Sequence, residues 1–349
     1  MFQDITINKL LDIRREKRDL ILVDVRSPSE FKDATIPGSI NIPLFNDEER
    51  AEIGTIYKQI SVQAAKERGL EIVSAKLPSF IKEFAKFEGQ KTVFCWRGGM
   101  RSRTTATVLD LIGIKTLRLH GGVRAYRSWV IETLQNIEFK AEAYILNGYT
   151  GAGKTKVLRR LLEEGQPVLD FEGMANHRGS IFGQIGLEPN NQKMFDALLV
   201  EQLLFLQQSP YVVFEAESKR VGKVVLPAFL TEKKEHGIQL FIDIPLEERV
   251  RNILEDYSPW EHKQECIDAF QIIKNRIHTP IASQIEKDLN EGEFESAVRL
   301  LLEYYYDPRY DHMAMKYPAD RKMTVKVQNV EDAVTKVQQI IQGKLNVFK

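Results

Sequence analysis

The chain has 349 residues, with 49 lysines and arginines against 49 aspartates and glutamates, 43% hydrophobic residues and two cysteines. This length predicts two domains, each large enough to bury a core of its own. Two cysteines exclude a disulfide framework and a multi-cysteine zinc or iron–sulfur site, and no apolar run reaches the roughly 18 residues of a membrane span. We therefore expect a cytoplasmic protein with no membrane partner and no signal peptide.

The net charge of zero conceals a difference between the two halves. Residues 1–138 hold 22 basic and 18 acidic side chains, whereas residues 139–349 hold 27 and 31. Residues 97–127 contain seven basic side chains and one acidic one. This stretch is typical of a surface that faces a polyanion, although solvated helix and loop charges would give the same count.

In the first half, short apolar strands alternate with helical patterns. Such alternation predicts a mostly parallel sheet that is covered on both faces. The predicted strands cover residues 20–25, 40–42, 92–94 and 116–119, and the predicted helices cover residues 77–87, 104–111 and 123–135.

The pattern of strand, loop and helix restarts near residue 140. We therefore predict an α/β protein of two domains, residues 1–138 and 139–349, the second with a helical C-terminal part. In the second domain the strands are predicted at 143–146, 168–170, 211–214, 239–242 and 324–327, and helices at 154–164, over much of 246–303, and at 330–341.

Residues 95–102, the cysteine loop, lie between a predicted strand and a helix. In a glycine-rich turn of this kind, backbone N–H groups point inward and the helix N-terminus adds a positive field, which makes a binding site for anions. The same field, with Arg97 and Arg101 nearby, would stabilise a thiolate, so we predict that Cys95 is a nucleophile. Cys266 lies in a helical stretch, which indicates a structural thiol.

The first domain resembles the rhodanese family in residues 24–31, 36–43 and 119–122 as well as in the cysteine loop. The resemblance implies transfer of sulfur or selenium by the cysteine that matches Cys95. Five residues separate Cys95 from Arg101, whereas the common rhodanese loop has four. The longer spacing resembles the dual-specificity phosphatase loop and would admit a phosphorylated donor such as selenophosphate. A phosphatase stays open as an alternative, although Phe94 stands where phosphatases usually carry a histidine.

Residues 148–155, the phosphate loop, fit the P-loop pattern, with an apolar strand before them and a helix after them. Gly148, Gly151 and Gly153 permit a close approach of the backbone to phosphates. Lys154 is expected to reach the terminal phosphates, and the hydroxyl of Thr155 is the group that normally binds Mg²⁺.

Polar residues that follow two other strands are further candidates. In an open α/β sheet, ligands bind at the carboxyl ends of the strands, which places these residues near the phosphate loop. A strand-end glutamate would bind a metal, an arginine would pair with a phosphate and a histidine would move a proton, although ordinary structural roles stay open for each. The candidates are Asp170, Glu172, His177, Arg178, Glu215 and Glu217.

Both halves together resemble the tRNA 2-selenouridine synthase family, through residues 95–102, 148–155, 172–180 and 301–310. The resemblance implies a transferase that acts on a tRNA with 2-thiouridine at the wobble position. Geranyl diphosphate would alkylate the sulfur to give S-geranyl-2-thiouridine, and selenophosphate would then convert this base into 2-selenouridine. Both compounds would be co-substrates, and Mg²⁺ would be the metal if one is used.

Several alternatives remain open at this point. The chain could be a P-loop small-molecule kinase with a regulatory rhodanese-like or phosphatase-like domain, or a sensor in which Cys95 is oxidised. Trp96 would stack on an exposed wobble base or would simply pack against the loop. Tyr304–Tyr306 would line an apolar pocket of prenyl size or would form a helix end packed on the core.

Overall fold

The computed structural model describes residues 2–16, 20–309 and 321–347. The chain divides into two compact units. The first unit comprises Met1–Ile137 and Asp196–Val200, and the second comprises Glu138–Phe195 and Glu201–Lys349.

The first unit contains a five-stranded sheet in the order β1-β5-β4-β2-β3, with every pair of strands parallel. Phe84 and Leu109, from two of the helices, pack with Val93 of the sheet in a buried core. The elements are β1 (Gln3–Ile5), α1 (Ile7–Glu16), β2 (Ile21–Asp24), α2 (Pro28–Asp33), β3 (Ile40–Asn41), α3 (Asp47–Gln59), α4 (Val62–Ala85), β4 (Lys91–Phe94), α5 (Met100–Leu111), β5 (Thr116–Leu119) and α6 (Gly122–Asn136).

The second unit contains another five-stranded parallel sheet, in the order β12-β11-β6-β8-β7, and a two-stranded antiparallel ribbon of β9 and β10. Its elements are β6 (Glu142–Gly148), α7 (Lys154–Glu163), β7 (Val168–Leu169), α8 (Phe171–Ala175), α9 (Gln192–Phe205, of which Asp196–Val200 are assigned to the first unit), β8 (Tyr211–Glu215), β9 (Arg220–Val221), β10 (Val224–Val225), α10 (Ala228–His236), β11 (Ile238–Asp243), α11 (Leu246–Tyr257), α12 (Lys263–Ile273), α13 (Thr279–Glu291), α14 (Phe294–Leu301), β12 (Lys322–Lys326) and α15 (Val330–Val347).

The helical C-terminal part has a core of its own. Phe270, Ile285 and Leu301 from three successive helices are buried together there. A short 3₁₀ helix (Lys274–Arg276) follows α12, and a π-helix (Leu302–Tyr306) follows α14. Across the described ranges, no helix combines the length and the apolar composition that crossing a membrane requires.

The predicted α/β architecture is confirmed: each predicted strand overlaps a strand of one of two parallel sheets. In the first unit the sequence patterns missed β1, α1, α2, α3 and the first part of α4, and in the second unit they missed α8, α9 and α10. They also missed the ribbon of β9 and β10, whose strands are two residues long and carry no usable periodicity. Because parallel strands present their carboxyl ends at one edge of a sheet, the loop after β4 and the loop after β6 lie where such folds bind ligands.

Candidate functional site

Cys95 comes directly after β4 at the start of the cysteine loop. Its side chain is 3% exposed, and its Sγ lies 3.2 Å from the Oγ of Ser102, which is fully buried in the first turn of α5. Gly99 is the N-cap of α5, so the positive end of this helix meets the loop. The thiol therefore has a hydroxyl beside it and lies near a helix N-terminus, where N–H groups point toward the loop.

A second glycine turn supports the cysteine loop from behind. The N–H of Val123 donates to the carbonyl of Cys95 at 3.0 Å, and the N–H of Arg124 donates to that of Trp96 at 2.9 Å. Gly122 has a φ of +55°, and a Cβ at this position would lie 1.9 Å from the carbonyl oxygen of Cys95. Only glycine fits there, so this residue fixes the backbone on which the thiol stands.

Arg101, at the far end of the loop, is paired with Glu30. Its Nη1 contacts Glu30 Oε2, and its Nη2 lies 3.1 Å from Oε1. Burial by itself would raise the pKa of Glu30, but the hydrogen bond and charge of Arg101, with the N–H of Ser27 and the charge of Arg50, hold it below the usual range. Sequence reasoning missed Glu30. The only signal was the capping box of α2, in which Glu30 reaches back to the N–H of Ser27.

The signature Asp24-Val25-Arg26 has a structural role. Arg26 Nη2 lies 2.6 Å from Asp24 Oδ2, and the two side chains are 3% and 0% exposed. Arg26 also donates to the carbonyl of Ala34, and the hydroxyl of Thr35 donates to Asp24 at 2.9 Å. This buried network joins the end of β2 to the segment after α2, the helix that carries Glu30.

Trp96 and Arg97, like Met100, are exposed side chains of the cysteine loop. Trp96 is 40% exposed, and Arg97 makes no hydrogen bond or ion pair with any residue of the described ranges. Both are accessible to a ligand that approaches from solvent. The three predicted residues Cys95, Arg97 and Arg101 thus stand on one loop in three different environments.

The phosphate loop joins β6 to α7. Gly151 and Gly153 have φ values of +80° and +73°, and a Cβ on Gly151 would lie 2.7 Å from the carbonyl oxygen of Arg249. Lys154 donates from its Nζ to the carbonyl of Gly148 at 3.2 Å, which folds the side chain over the loop. The left-handed glycines and the folded-back lysine give the loop the shape that a phosphate cradle requires.

Helix α11 supports the phosphate loop through two side chains that the sequence did not reveal. Arg249 Nε donates to the carbonyl of Thr150 at 2.9 Å, and Asn252 Nδ2 donates to that of Gly151 at 3.0 Å. The guanidinium of Arg249 is 6% exposed and also pairs with Asp307, with Nη1 at 3.0 Å from Oδ2. Arg249 therefore connects the loop to the segment that follows the π-helix.

Three carboxylates gather beside Thr155, which is the first residue after the loop lysine. One oxygen from each of Glu172, Glu215 and Glu217 lies within 4.8 Å of the others, and we call this group the carboxylate cluster. The hydroxyl of Thr155 is 2.7 Å from Glu172 Oε2 and 3.2 Å from Glu215 Oε2. Both strand-end glutamates that the sequence singled out thus belong to one site.

The carboxylate cluster is electrostatically unfavourable without a counter-charge. Burial, and next the charge of Glu217, raise the pKa of Glu172 to about 7. Burial and the charge of Glu172 hold the pKa of Glu215 well above its usual range, and burial raises that of Glu217. A divalent cation relieves such repulsion, and carboxylate and hydroxyl oxygens are the ligands that Mg²⁺ prefers. The donor set therefore fits Mg²⁺, and it is the one group of this kind among the described histidines, cysteines and acidic residues.

His177 and Arg178 have partners within their own unit. The Nδ1 of His177 accepts from the N–H of Gly179 at 3.1 Å, and burial followed by the charge of Arg178 lowers the pKa of the imidazole. Arg178 donates to the carbonyl of Ile185 at 2.8 Å, and its guanidinium lies 4.8 Å from the ring centroid of Tyr257. These contacts order the loop between α8 and α9.

Asp170 caps α8 by accepting from the N–H of Gly173 at 2.7 Å, and it is not a member of the carboxylate cluster. Cys266 is buried in the helical core, where burial and next the charge of Glu265 raise the pKa of its thiol to about 11. Such a thiol is a poor nucleophile, in agreement with the structural role predicted for it.

The three tyrosines after α14 have different environments. Tyr305 is 4% exposed and belongs to the helical core, whereas Tyr304 is 52% exposed. Tyr306 is half-buried and forms part of a cavity wall. Tyr310, the last residue of the stretch 301–310, lies outside the described residues.

Comparison with known proteins identifies the two units. The model of the rhodanese-like domain matches residues 6–128, and that of the tRNA 2-selenouridine synthase AAA domain matches residues 141–272. Proteins named tRNA 2-selenouridine synthase from Bdellovibrio bacteriovorus, Nitrosomonas europaea and Pseudomonas syringae pv. syringae are 30%, 32% and 36% identical to this chain. Each alignment covers 84% of this chain, and 89%, 88% and 88% of the respective relative.

The chain belongs to the tRNA 2-selenouridine synthase family. The predicted order of a rhodanese-like domain and a second α/β domain is thereby confirmed. Within this family fold, the cysteine loop lies inside the rhodanese-like match, and the phosphate loop and the carboxylate cluster lie inside the AAA-domain match.

Proposed function

We propose that this chain converts 2-thiouridine at the wobble position of tRNA into 2-selenouridine through S-geranyl-2-thiouridine, with geranyl diphosphate and selenophosphate as co-substrates. Family membership supports the tRNA substrate and the selenated product. The observation that carries the two-step form is that one chain holds two glycine-rich loops, each between a parallel strand and a helix, with different side chains around them. One places a thiol 3.2 Å from a hydroxyl, and the other faces a carboxylate cluster suited to a cation.

The alkylation is assigned to the phosphate loop. The sulfur of 2-thiouridine attacks the first carbon of the geranyl group while the carbon–oxygen bond breaks, and diphosphate leaves with the bonding electrons. The base loses its N3 proton to water in the same step. Lys154 and the N–H groups of the loop stabilise the diphosphate as its charge grows, without hydrolysis of a nucleotide. Mg²⁺ held by Thr155 and the carboxylate cluster would supply further positive charge to the diphosphate.

The selenation is assigned to the cysteine loop. The oxidation level of selenium indicates whether Cys95 would carry selenium or phosphate. Selenium has the same oxidation level in selenophosphate as in 2-selenouridine, whereas a perselenide on Cys95 would need an added oxidant. The thiolate of Cys95 therefore attacks phosphorus: the sulfur–phosphorus bond forms, the phosphorus–selenium bond breaks, and hydrogen selenide is released. The loop N–H groups and Arg101 hold the phosphate during this exchange.

The remaining steps complete the balance of atoms. Hydrogen selenide adds to C2 of the geranylated base, the C2–sulfur bond breaks, and geranylthiol leaves with a proton while N3 regains one. Water then hydrolyses the phosphocysteine to phosphate and free thiol. The alkylated sulfur is a better leaving group than the thiocarbonyl, which is why a bulky group is installed and then discarded.

The proposal is tested by nucleoside mass spectrometry. A 2-thiouridine tRNA is incubated with the protein, Mg²⁺ and geranyl diphosphate, and selenophosphate is added afterwards. The geranylated base should form first and be replaced by 2-selenouridine. Absence of any geranylated base would overturn the two-step route. Rapid phosphoryl transfer from ATP to a small molecule that survives Cys95→Ala would instead favour the kinase alternative.

A further inference from the structure

An apolar cavity lies in the second unit beside the phosphate loop. Its volume is about 60 Å³ as the space open to the centre of a water-sized sphere, and nearly all the surface that lines it is apolar. Room for one water takes about 10–15 Å³ on this measure, so the cavity is much larger than a packing defect. Its wall includes Thr150, Phe182, Ile253, Val298, Leu302 and Tyr306.

Thr150 connects this cavity to the anion site. It is the third residue of the phosphate loop, between the left-handed glycines that shape the cradle and the strand that precedes it. An apolar space therefore adjoins the loop in which the phosphates of a ligand would lie. The polar edge of a nucleotide base would find almost no partners on such a wall, and burying unpaired polar groups is costly. A hydrocarbon chain needs no such partners, and apolar cavities are well suited to bind one.

The phosphate loop and the π-helix both contribute to the cavity wall, and contacts of Arg249 link them. Leu302 and Tyr306, at the two ends of the π-helix, are wall residues. Arg249 donates to the carbonyl of Thr150 and pairs with Asp307, the residue after the π-helix. Single-turn π-helices occur frequently at functional sites, and this one contributes two residues to the cavity wall.

We propose that the cavity binds the hydrocarbon chain of an allylic prenyl diphosphate whose diphosphate occupies the phosphate loop. This inference rests on the proposed function and adds the site that recognises the alkyl donor. It assigns the selection of chain length to the helical C-terminal part and not to the loop motif. Tyr306 is then a pocket residue, while Tyr305 belongs to the supporting core.

The test measures binding in the absence of tRNA, so that it does not depend on the transfer reaction. Isothermal titration compares geranyl diphosphate with inorganic diphosphate, both with Mg²⁺. The wild type should bind geranyl diphosphate at least about tenfold more tightly, because the chain buries apolar surface. Val298→Trp fills the cavity and should abolish this preference. Ile272→Trp places the same bulk on a side chain of α12 that is 64% exposed, and should keep it.

Affinity for inorganic diphosphate shows that the phosphate loop is intact in each variant, and it should stay within about twofold of the wild type. Leu302→Ala enlarges the cavity where Val298→Trp fills it, and it provides a second test if Val298→Trp does not fold. By enlarging the cavity, it should improve binding of farnesyl diphosphate relative to geranyl diphosphate.

Equal affinities of the wild type for geranyl and inorganic diphosphate would overturn the inference. An unchanged preference in a folded Val298→Trp, or an unchanged preference for chain length in Leu302→Ala, would overturn it as well. ATP binding that Val298→Trp weakens as strongly as geranyl diphosphate binding would identify a nucleotide pocket and also contradict it. If the binding differences hold but mass spectrometry finds no geranylated base, the proposed function fails and the prenyl pocket stands.

Discussion

The cysteine loop and the phosphate loop both join a parallel strand to the helix that follows it, and both turn on left-handed glycines. Gly98 has a φ of +62° and Gly151 a φ of +80°. The surroundings differ. Two N–H groups at the start of α6 donate to carbonyls of the cysteine loop, and Arg101 is paired with a single carboxylate, that of Glu30. The phosphate loop faces three carboxylates whose pKa values are all raised.

This difference shows how the same kind of strand-to-helix loop can take part in two different reactions. A nest of N–H groups binds an anion in either case, and the neighbouring side chains decide what happens to it. A thiol with a hydroxyl beside it can attack the bound group, whereas a cluster of carboxylates repels an anion and can stabilise it through a bound cation. We therefore assign covalent chemistry to the first loop and metal-assisted stabilisation of a leaving group to the second.

The largest effect is expected for Glu172→Gln combined with Glu215→Gln. Loss of the cation site should lower the geranylation rate by about 10²–10³-fold, as removal of a major stabiliser of transition-state charge does. The rate of selenation of a tRNA that is already geranylated should change by no more than about twofold. The variant would then separate the reaction of the phosphate loop from that of the cysteine loop. Nucleoside mass spectrometry gives both rates, and Glu163→Gln, an exposed glutamate of α7, is the control. Equal loss in both steps would contradict the assignment.

Gly122→Ala tests the support of the cysteine loop. The added methyl group would meet the carbonyl of Cys95 at 1.9 Å and displace the thiol, so selenation should fall by about 100-fold. Gly113→Ala is the matched control, because Gly113 also has a positive φ, +81°, but nothing lies within 4 Å of its Cβ position. Both changes carry a left-handed penalty of about 1–2 kcal/mol. A similar loss of selenation in both variants would show that strain and not displacement of the thiol is responsible.

Glu30→Gln tests whether the pairing of Arg101 matters for the anion. Without the carboxylate, Arg101 is no longer held at the loop, and the KM for selenophosphate should rise by about tenfold, in line with the loss of one charged hydrogen bond. The rate of geranylation should not change. Glu83→Gln removes an equally charged but exposed partner, that of Lys86, and should have no effect. An unaltered KM in Glu30→Gln would remove Glu30 from the site.

The smallest effect is on stability. The folded-state pKa of Glu172, about 7, lies above its ordinary value, so the stability of the metal-free protein should fall as pH rises from about 4.5 to about 7. Glu172→Gln removes this carboxyl and should be more stable than the wild type at pH 8 by roughly 1 kcal/mol, but not at pH 4.5. Chemical denaturation in a chelating buffer measures both. A difference that does not depend on pH would contradict the electrostatic explanation.

The two loops could be predicted from the sequence because their signals are local. Glycine spacing, a lysine or cysteine in register and the flanking strand and helix all fall within about a dozen residues. The strand-end glutamates Glu215 and Glu217 followed from the rule that parallel sheets bind ligands at their carboxyl edge. The sequence did not show whether one or both of these glutamates belong to the carboxylate cluster, because that depends on side-chain positions.

The supporting residues could not be predicted. Glu30 is 71 positions from Arg101, and Arg249 is 99 positions from Thr150, so each pair meets only through tertiary packing. Likewise, Asp170 and Arg178 stand at the predicted edge of the sheet, but one caps a helix and the other contacts a carbonyl and a tyrosine ring. A residue type at a strand end indicates proximity to a site, and its rotamer and neighbours decide its role.

The assignment of geranylation to the phosphate loop and of selenation to the cysteine loop is tested most directly by two variants in one assay. Cys95→Ala and Lys154→Ala are each given either 2-thiouridine tRNA with geranyl diphosphate or pre-geranylated tRNA with selenophosphate, and the nucleosides are analysed by mass spectrometry. We predict that Cys95→Ala makes the geranylated base but no 2-selenouridine, and that Lys154→Ala cannot geranylate but selenates the pre-geranylated tRNA. Full selenation by Cys95→Ala, or loss of both reactions in either variant while it remains folded, would contradict the account.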